Sequence, residues 1–444
     1  MRTLPYFPPD PIWNEDPERA LAEVEHRIRL TGSTYIGTGH FRALEQLPRN
    51  IAEVTDGQIN LSPTRIRDIS GLRALKGLRS FTLSQHVTDL SVVAELSELE
   101  HIDFSRLEFA DISPLASCDS LNRIENLRGE CVDLAILGQV RNLGFLSLSM
   151  AKGQSLPAMP RLTSLLPTVW KAEEFTVDLG VLASSSNLKV LWSWGMRGCN
   201  PPKQLDKLES FAMSLTDQSD FDTVARYGAL VKLSVRTTAI HDLSAIPLDA
   251  RLRRINLSGS QIRDVRRLAA LKHLQELDIS RTLVEDIVPF SFCPQLKWLD
   301  AAGTQVTSLA GWNPKAYFNT LDVSDTGISS IKPLVGTTLG GLSAINTPLS
   351  DLTGFSGIKG LRRLNISGTK VAEIPPEDAD AAVLNIEESQ YDPRDKMWFQ
   401  LDNTPLAANG WKLGPQEPKA GQDREPSHQR ASWKGLFSFF RKQG

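Results

Sequence analysis

Three carboxylates recur at one fixed spacing in the second half of the sequence: Asp278, Asp300 and Asp322, each 22 residues after the last. Directly opposed side chains on neighbouring strands stand about 5 Å apart. Strands in register would therefore stack these acids into a ladder of like charges, which costs stability unless a cation or a basic partner answers it. Two residues before the matching positions stand Arg254, Glu276 and Trp298, and further upstream come Trp192 and Trp194. Aromatic and arginine side chains exposed beside charges are the usual anchors of a protein interface. The chemistry on offer is binding. A solvated strand face whose acids are mere repeat consensus reads the same way.

Bond-making chemistry finds no support in the same residues. The seven histidines (His26, His40, His86, His101, His241, His273 and His428) show no metal-ligand spacing, no glycine-rich loop opens a helix, and no serine or cysteine sits in a nucleophile elbow. The expectation is no enzyme, no cofactor, no metal and no small-molecule substrate. Arginines cluster at Arg236, Arg251, Arg253, Arg254, Arg263, Arg266 and Arg267, but no aromatic residue lies between 228 and 289 to stack on bases, and the formal net charge is only -3. Nucleic acid is not an expected partner.

The elements that position these residues are repeats. From Leu230 to Ile374 a fourteen-residue phrase occurs seven times, opening at 230, 252, 274, 296, 318, 339 and 361, as in LQELDISRTLVEDI and LRRLNISGTKVAEI. Within each copy an apolar, variable, apolar alternation has the period of a short strand with one buried face. Five residues after the first strand apolar a small hydroxyl recurs (Ser260, Thr282, Thr304, Thr326, Thr347, Thr369), suited to bonding backbone as the chain leaves the strand. Acids four residues later, such as Asp242, Asp264, Asp286 and Asp351, read as turn acceptors. Earlier openings at Asp56, Leu78, Leu99, Leu121 and Leu143 hold the same register, and irregular ones at Leu162, Leu188 and Leu208 follow. The return path DISPLASC has room for only a short 3-10 or single-turn helix.

This organisation divides the chain. Residues 1–55 form an N-terminal cap, with a helix from Pro17 capped by Asn14 or Asp16 and a degenerate first repeat near Tyr35. Residues 56–390 form a solenoid of about 16 repeats, irregular over 150–229 and ending in a weak strand from Ala381. Residues 391–410 form a C-terminal cap, and 411–430 have the composition of a disordered linker. At about 4.8 Å per strand the array would run roughly 75 Å. The tail 431–444 places Trp433, Leu436, Phe437 and Phe440 at i, i+3, i+4 and i+7, with Lys434, Arg441 and Lys442 and no acid, which is an amphipathic basic helix. A free tail contacts an anionic membrane; docking on the solenoid end as a cap is the alternative. The four cysteines fit buried, reduced thiols, with Cys118 and Cys293 three residues before an opening leucine and Cys131 in a branched-aliphatic slot. No apolar run reaches eighteen residues and none at the start has signal-peptide length.

The aligned copies resemble the leucine-rich-repeat family, and their 22-residue form with threonine at the turn resembles the bacterial internalin-type class. The resemblance implies an α/β leucine-rich-repeat solenoid, a horseshoe with a concave parallel β-sheet and a short 3-10 or irregular convex side. It also implies a scaffold that binds a protein partner on the concave face. The expected setting is the bacterial cytoplasm, with peripheral membrane contact through the tail. Two alternatives stand beside this: a secreted effector that binds a host protein after export by a specialised system, and a regulatory subunit of an enzyme such as a phosphatase.

Overall fold

The computed structural model describes residues 16–32 and 43–372, apart from 55–56, 63, 105–106, 108–110, 170–174 and 237–238, together with 398–400 and 404–405. The expected degenerate repeat near Tyr35, the strand at Ala381, the linker and the tail all lie outside these residues.

Helix α1 (Pro17–Thr31) comes first. The Asp16 carboxylate accepts from the Glu18 and Arg19 amides, Pro17 takes the first turn, and Gly32 closes the helix in the left-handed conformation at φ 65. Its apolar stripe of Ala20, Leu21, Val24 and Ile28 joins the same continuous core as the strands.

The strands then follow in chain order. They are β1 (Gln58–Asn60), β2 (Ser80–Thr82), β3 (His101–Asp103), β4 (Arg123–Arg128) and β5 (Phe145–Met150). Next come β6 (Ser164–Val169), β7 (Phe175–Asp178), β8 (Val190–Cys199) and β9 (Ser210–Leu215). The regular block supplies β10 (Lys232–Ser234), β11 (Arg254–Asn256), β12 (Glu276–Asp278), β13 (Trp298–Asp300), β14 (Tyr317–Asp322), β15 (Thr338–Ser343) and β16 (Arg363–Asn365), and β17 (Trp398–Gln400) comes last. Every strand pairing in this 17-stranded sheet is parallel, and each strand pairs with the next, with one exception in the irregular segment. There β6 pairs with the first half of β8 (Thr168 opposite Trp194) while β7 pairs with the second half (Phe175 opposite Met196). Strands β6 and β7 therefore share one tier, and a strand that counting opening leucines had missed explains the long spacing there.

At the far end β16 pairs with Trp398–Gln400, within the stretch assigned to the C-terminal cap.

The convex side is thin, as the sequence implies. Short 3-10 turns such as Ser70–Ala74, Ser113–Ser117 and Val288–Phe292 alternate with one longer helix, α2 (Gln218–Ala225). Their entrances are held by the recurrent acids: Asp264 accepts the Arg266 amide at 2.9 Å, Asp286 that of Val288 at 2.8 Å and Asp351 that of Thr353 at 2.7 Å. Hydrogen bonds from the side chains of Ser244, Arg266 and Thr353, and then from the same residues' amides, hold the carboxyls of Asp242, Asp264 and Asp351 below the ordinary range, Asp264 at about 2. Threonines 282, 304, 326 and 347 give their hydroxyls to the carbonyl three residues back, at 2.6 to 2.9 Å. Cys118 and Cys293 are buried, but Cys131 and Cys199 are only half-buried, because Cys131 falls in a 3-10 turn at the surface rather than in the core slot its spacing suggested.

Candidate functional site

In each three-residue strand the middle side chain enters the core and the two flanking ones face the concave surface, since successive side chains alternate. Register then fixes the rows: Arg254 opposite Glu276, Glu276 opposite Trp298, and Asp278 opposite Asp300, itself opposite Asp322. The ladder of acids therefore exists, but it is not the solvated row the sequence suggested. Asp278 is only 4% exposed, and all three carboxylates accept the backbone N–H two residues on, from Ser280, Ala302 and Ser324 at 2.9 to 3.0 Å. Asn256 and Asn365 do the same for Ser258 and Ser367. These side chains end the strand by giving the turn its acceptor, an Asx turn repeated along the array. Asp278 also accepts from the Asn256 amide at 2.7 Å and from the Ser280 hydroxyl at 2.6 Å. Burial still pushes the carboxyls of Asp278 and Asp322 above the ordinary range against these bonds.

The other row is more exposed in its chemistry. Arg254 Nε meets Glu276 Oε1 at 2.9 Å, while Glu276 Oε2 is buried with no hydrogen-bond partner among the described residues. Burial pushes the Glu276 carboxyl up although Arg254 and Lys232 pull it down; burial and Arg254 together push the Lys232 ammonium down. Trp298 lies half-buried beside this group. Trp192, on β8, is half-buried as well and donates its indole N–H to Ser210 Oγ at 2.8 Å. Trp194 is on the same strand, its backbone opposite Thr168, and its side chain lies outside the described residues. The tail residues Trp433, Lys434, Leu436, Phe437, Phe440, Arg441 and Lys442 lie outside them too. Strand register thus brings Arg254, Glu276, Trp298 and the three aspartates onto one surface, with Trp192 several tiers upstream.

Two groups escaped sequence reasoning. In β3 to β5 the Arg123 guanidinium lies 3.7 Å from the Phe145 ring centre and pairs with Glu125, while His101 Nδ1 bonds Ser80 Oγ at 2.9 Å. Next to them Phe145, Leu166, Val190 and Ala212 alternate with Ser147, Ser164 and Ser210 on the concave face of the irregular segment, which carries no charge there. The alternation that marks each of these strands was the available signal.

No family model matches the sequence, and no curated protein matches it. Solved structures do. A leucine-rich-repeat protein of Leptospira interrogans is 15% identical, with 77% of this chain and 91% of that one covered at a TM-score of 0.50. An internalin of Listeria monocytogenes is 18% identical over 83% of this chain and 95% of its own, at 0.41. The plant peptide hormone receptor RGFR1 in complex with RGF2 is 14% identical over 82% and 83%, at 0.44. At such identities likeness speaks for the fold, and with the seven aligned copies and the parallel sheet it makes this chain a leucine-rich-repeat solenoid.

Proposed function

We propose that this chain is a non-enzymatic scaffold that binds a protein partner on its concave face, centred on Trp298 and the Arg254–Glu276 pair. The supporting observation is a cost with no structural return: Glu276 is buried, its carboxyl is pushed up by that burial, and one of its oxygens has no partner. Proteins depart from full polar satisfaction chiefly at functional sites. A partner donor that reaches Glu276 as Trp298 is covered would satisfy it, and the sheet holds all three side chains without the ordering entropy a loop would demand.

The test captures the partner from native extract on the immobilised protein and then titrates it against Trp298→Ala. Affinity falls by about 2 kcal/mol or more, as for a buried aromatic anchor, while the melting temperature barely moves. A melting temperature many degrees lower with binding spared makes Trp298 a packing residue and sinks the reading.

The tail completes the proposal. Its four large apolar side chains and three cations suit the interface of an anionic membrane, each basic residue adding roughly 1 kcal/mol there. The full-length protein floats with phosphatidylserine vesicles at low salt, and Phe437→Glu abolishes flotation. Equal flotation of the variant leaves the tail as a cap or a partner-binding peptide.

A further inference from the structure

Six residues before the strand position in register with Arg254, Glu276 and Trp298, the chain turns at the edge of the sheet. Leading into β11 to β15 this position holds Leu248, Ala270, Phe292, Pro314 and Val335, spaced 22, 22, 22 and 21 residues apart and all exposed. Upstream the same position holds Ala74, Glu95, Ser117, Gln139, Ala158, Ser184, Gln204 and Arg226, with no large apolar side chain among them. The turns touch one another in succession. Cys293 Sγ bonds the Ala269 carbonyl at 3.2 Å, Asn313 N bonds Ser291 Oγ at 3.0 Å, and a Cβ built on Gly336 would lie 3.0 Å from Pro314 Cβ. The five residues thus form one stripe. Tyr317, three residues after Pro314, extends it.

Phe292 is 64% exposed, Leu248 52%, Tyr317 50% and Val335 40%; among the described residues only Leu30 is a further exposed large hydrophobic. Scattered exposed apolar residues are ordinary, but their concentration on one edge is not. The flanking charges differ between the halves of this edge as well. Upstream the edge mixes both signs, with acids that pair with its cations: Arg73 meets Glu95 at 3.6 Å, Arg79 meets Glu98 at 3.7 Å and Arg141 meets Asp119 at 3.6 Å. Along the stripe stand Arg251, Lys272, Lys315 and Lys359, all exposed, against Asp249 alone, and none of the four has an acid in salt-bridge reach among the described residues.

We infer that this edge is a second membrane-contacting surface, with Leu248, Phe292, Pro314, Tyr317 and Val335 entering the interface of an anionic lipid bilayer and the flanking lysines and arginine meeting its headgroups. Side chains this exposed stand out from turn tips rather than lie in a groove, which suits shallow insertion better than the enclosed pockets of protein hot spots. Long basic side chains beside them keep their charge at the headgroups while their stems cover apolar surface. The chain's own tail does not fit here, because Lys434, Arg441 and Lys442 carry the same sign. A second copy does not fit either: edge against like edge opposes cations, and the upstream half presents no large exposed hydrophobic to receive the stripe. The inference stands apart from the tail reading, and the two elements would face the same bilayer.

The experiment measures flotation of the full-length protein with phosphatidylcholine vesicles, with and without phosphatidylserine. Four forms are compared: unaltered, Phe292→Glu with Leu248→Glu, Lys272→Glu with Lys315→Glu, and Phe437→Glu. Both edge variants lose at least roughly tenfold in partition to anionic vesicles, as removal of inserted apolar area or of headgroup charge requires, with melting temperatures unchanged. A Phe292→Trp form shifts its emission to the blue on anionic vesicles, beyond any shift of the unaltered protein, while Glu95→Trp on the upstream half does not. Partition of the edge variants equal to that of the unaltered protein overturns the inference whatever Phe437→Glu does. Loss by the edge variants with Phe437→Glu unaffected upholds it and discards the tail. No flotation of the unaltered protein overturns both.

Discussion

The concave face is built in two ways. Along β10 to β16 the position in register with Asp278 holds Ser234, Asn256, Asp278, Asp300, Asp322, Ser343 and Asn365, and every strand stops there. In β6, β8 and β9 the matching position holds Leu166, Trp192 and Ala212, and the strands run on past it to Val169, Cys199 and Leu215. Leucine and alanine have no acceptor to offer the turn, and tryptophan has only a donor. The backbone N–H groups that an Asx turn would satisfy are instead paired along neighbouring strands, as Thr168 opposite Trp194 shows. At Asn256, Asp278, Asp300, Asp322 and Asn365 the strand stops where its own last side chain accepts the N–H two residues on.

The comparison would break first if the irregular segment were a decayed passage, loosely held between two sound arrays. Phe211 and Leu277 occupy the same core position on β9 and β12, at 1% and 0% exposure. Phe211→Ala is expected to cost about 3–5 kcal/mol and Leu277→Ala about 2–5, the usual range for emptied core positions. Urea unfolding measures both. A cost for Phe211→Ala well below that of Leu277→Ala would mean that the long-strand tiers carry little of the stability, and the comparison would then describe decay rather than a second building rule.

Next in size comes the turn acceptor itself. Asp300 accepts the Ala302 N–H at 3.0 Å. Asp300→Ala leaves that donor without its acceptor and should cost about 1–3 kcal/mol, whereas Asp300→Asn keeps an acceptor in place, as Asn256 does, and should cost far less. Equal losses from the two substitutions in thermal melts would assign the effect to charge and remove the explanation for strand length.

The sequence showed much of this and hid a definite part. Period and alternation made the regular block legible down to its register, because one buried face per strand repeats a rule that any single copy displays. The shared tier of β6 and β7 was hidden because opening leucines mark the start of a tier and say nothing of a strand that resumes after a break. Asp278 was misread because outward direction was taken for solvation; that its oxygens serve the Ser280 amide depends on backbone geometry two residues on. The edge stripe left no mark on the periodicity, since one apolar residue in a turn per repeat changes neither strand nor core. The pairing of Trp398–Gln400 with β16 had a signal that went unused, since Thr404 stands five residues after Phe399 as Thr369 does after Leu364.

The smallest effect expected is also the sharpest on the acid ladder. Asp322 accepts the Ser324 amide at 2.9 Å, yet burial, aided by the nearby charge of Asp325, holds its carboxyl above the ordinary range. A carboxyl raised in this way binds protons more readily in the folded than in the unfolded chain. Stability therefore falls as pH rises from the usual value of 3.8 through the raised one, and stays lower above it. Asp322→Asn keeps an acceptor for Ser324 and removes the buried charge. The variant should melt higher than the unaltered protein at neutral pH, and the two should converge below the usual carboxylate value, where the acid is protonated in both states. Melting curves across that range check the sign. A variant that melts lower at neutral pH would mean that the charge of Asp322 is already answered within the fold, and the ladder would then need no basic partner to offset its repulsion.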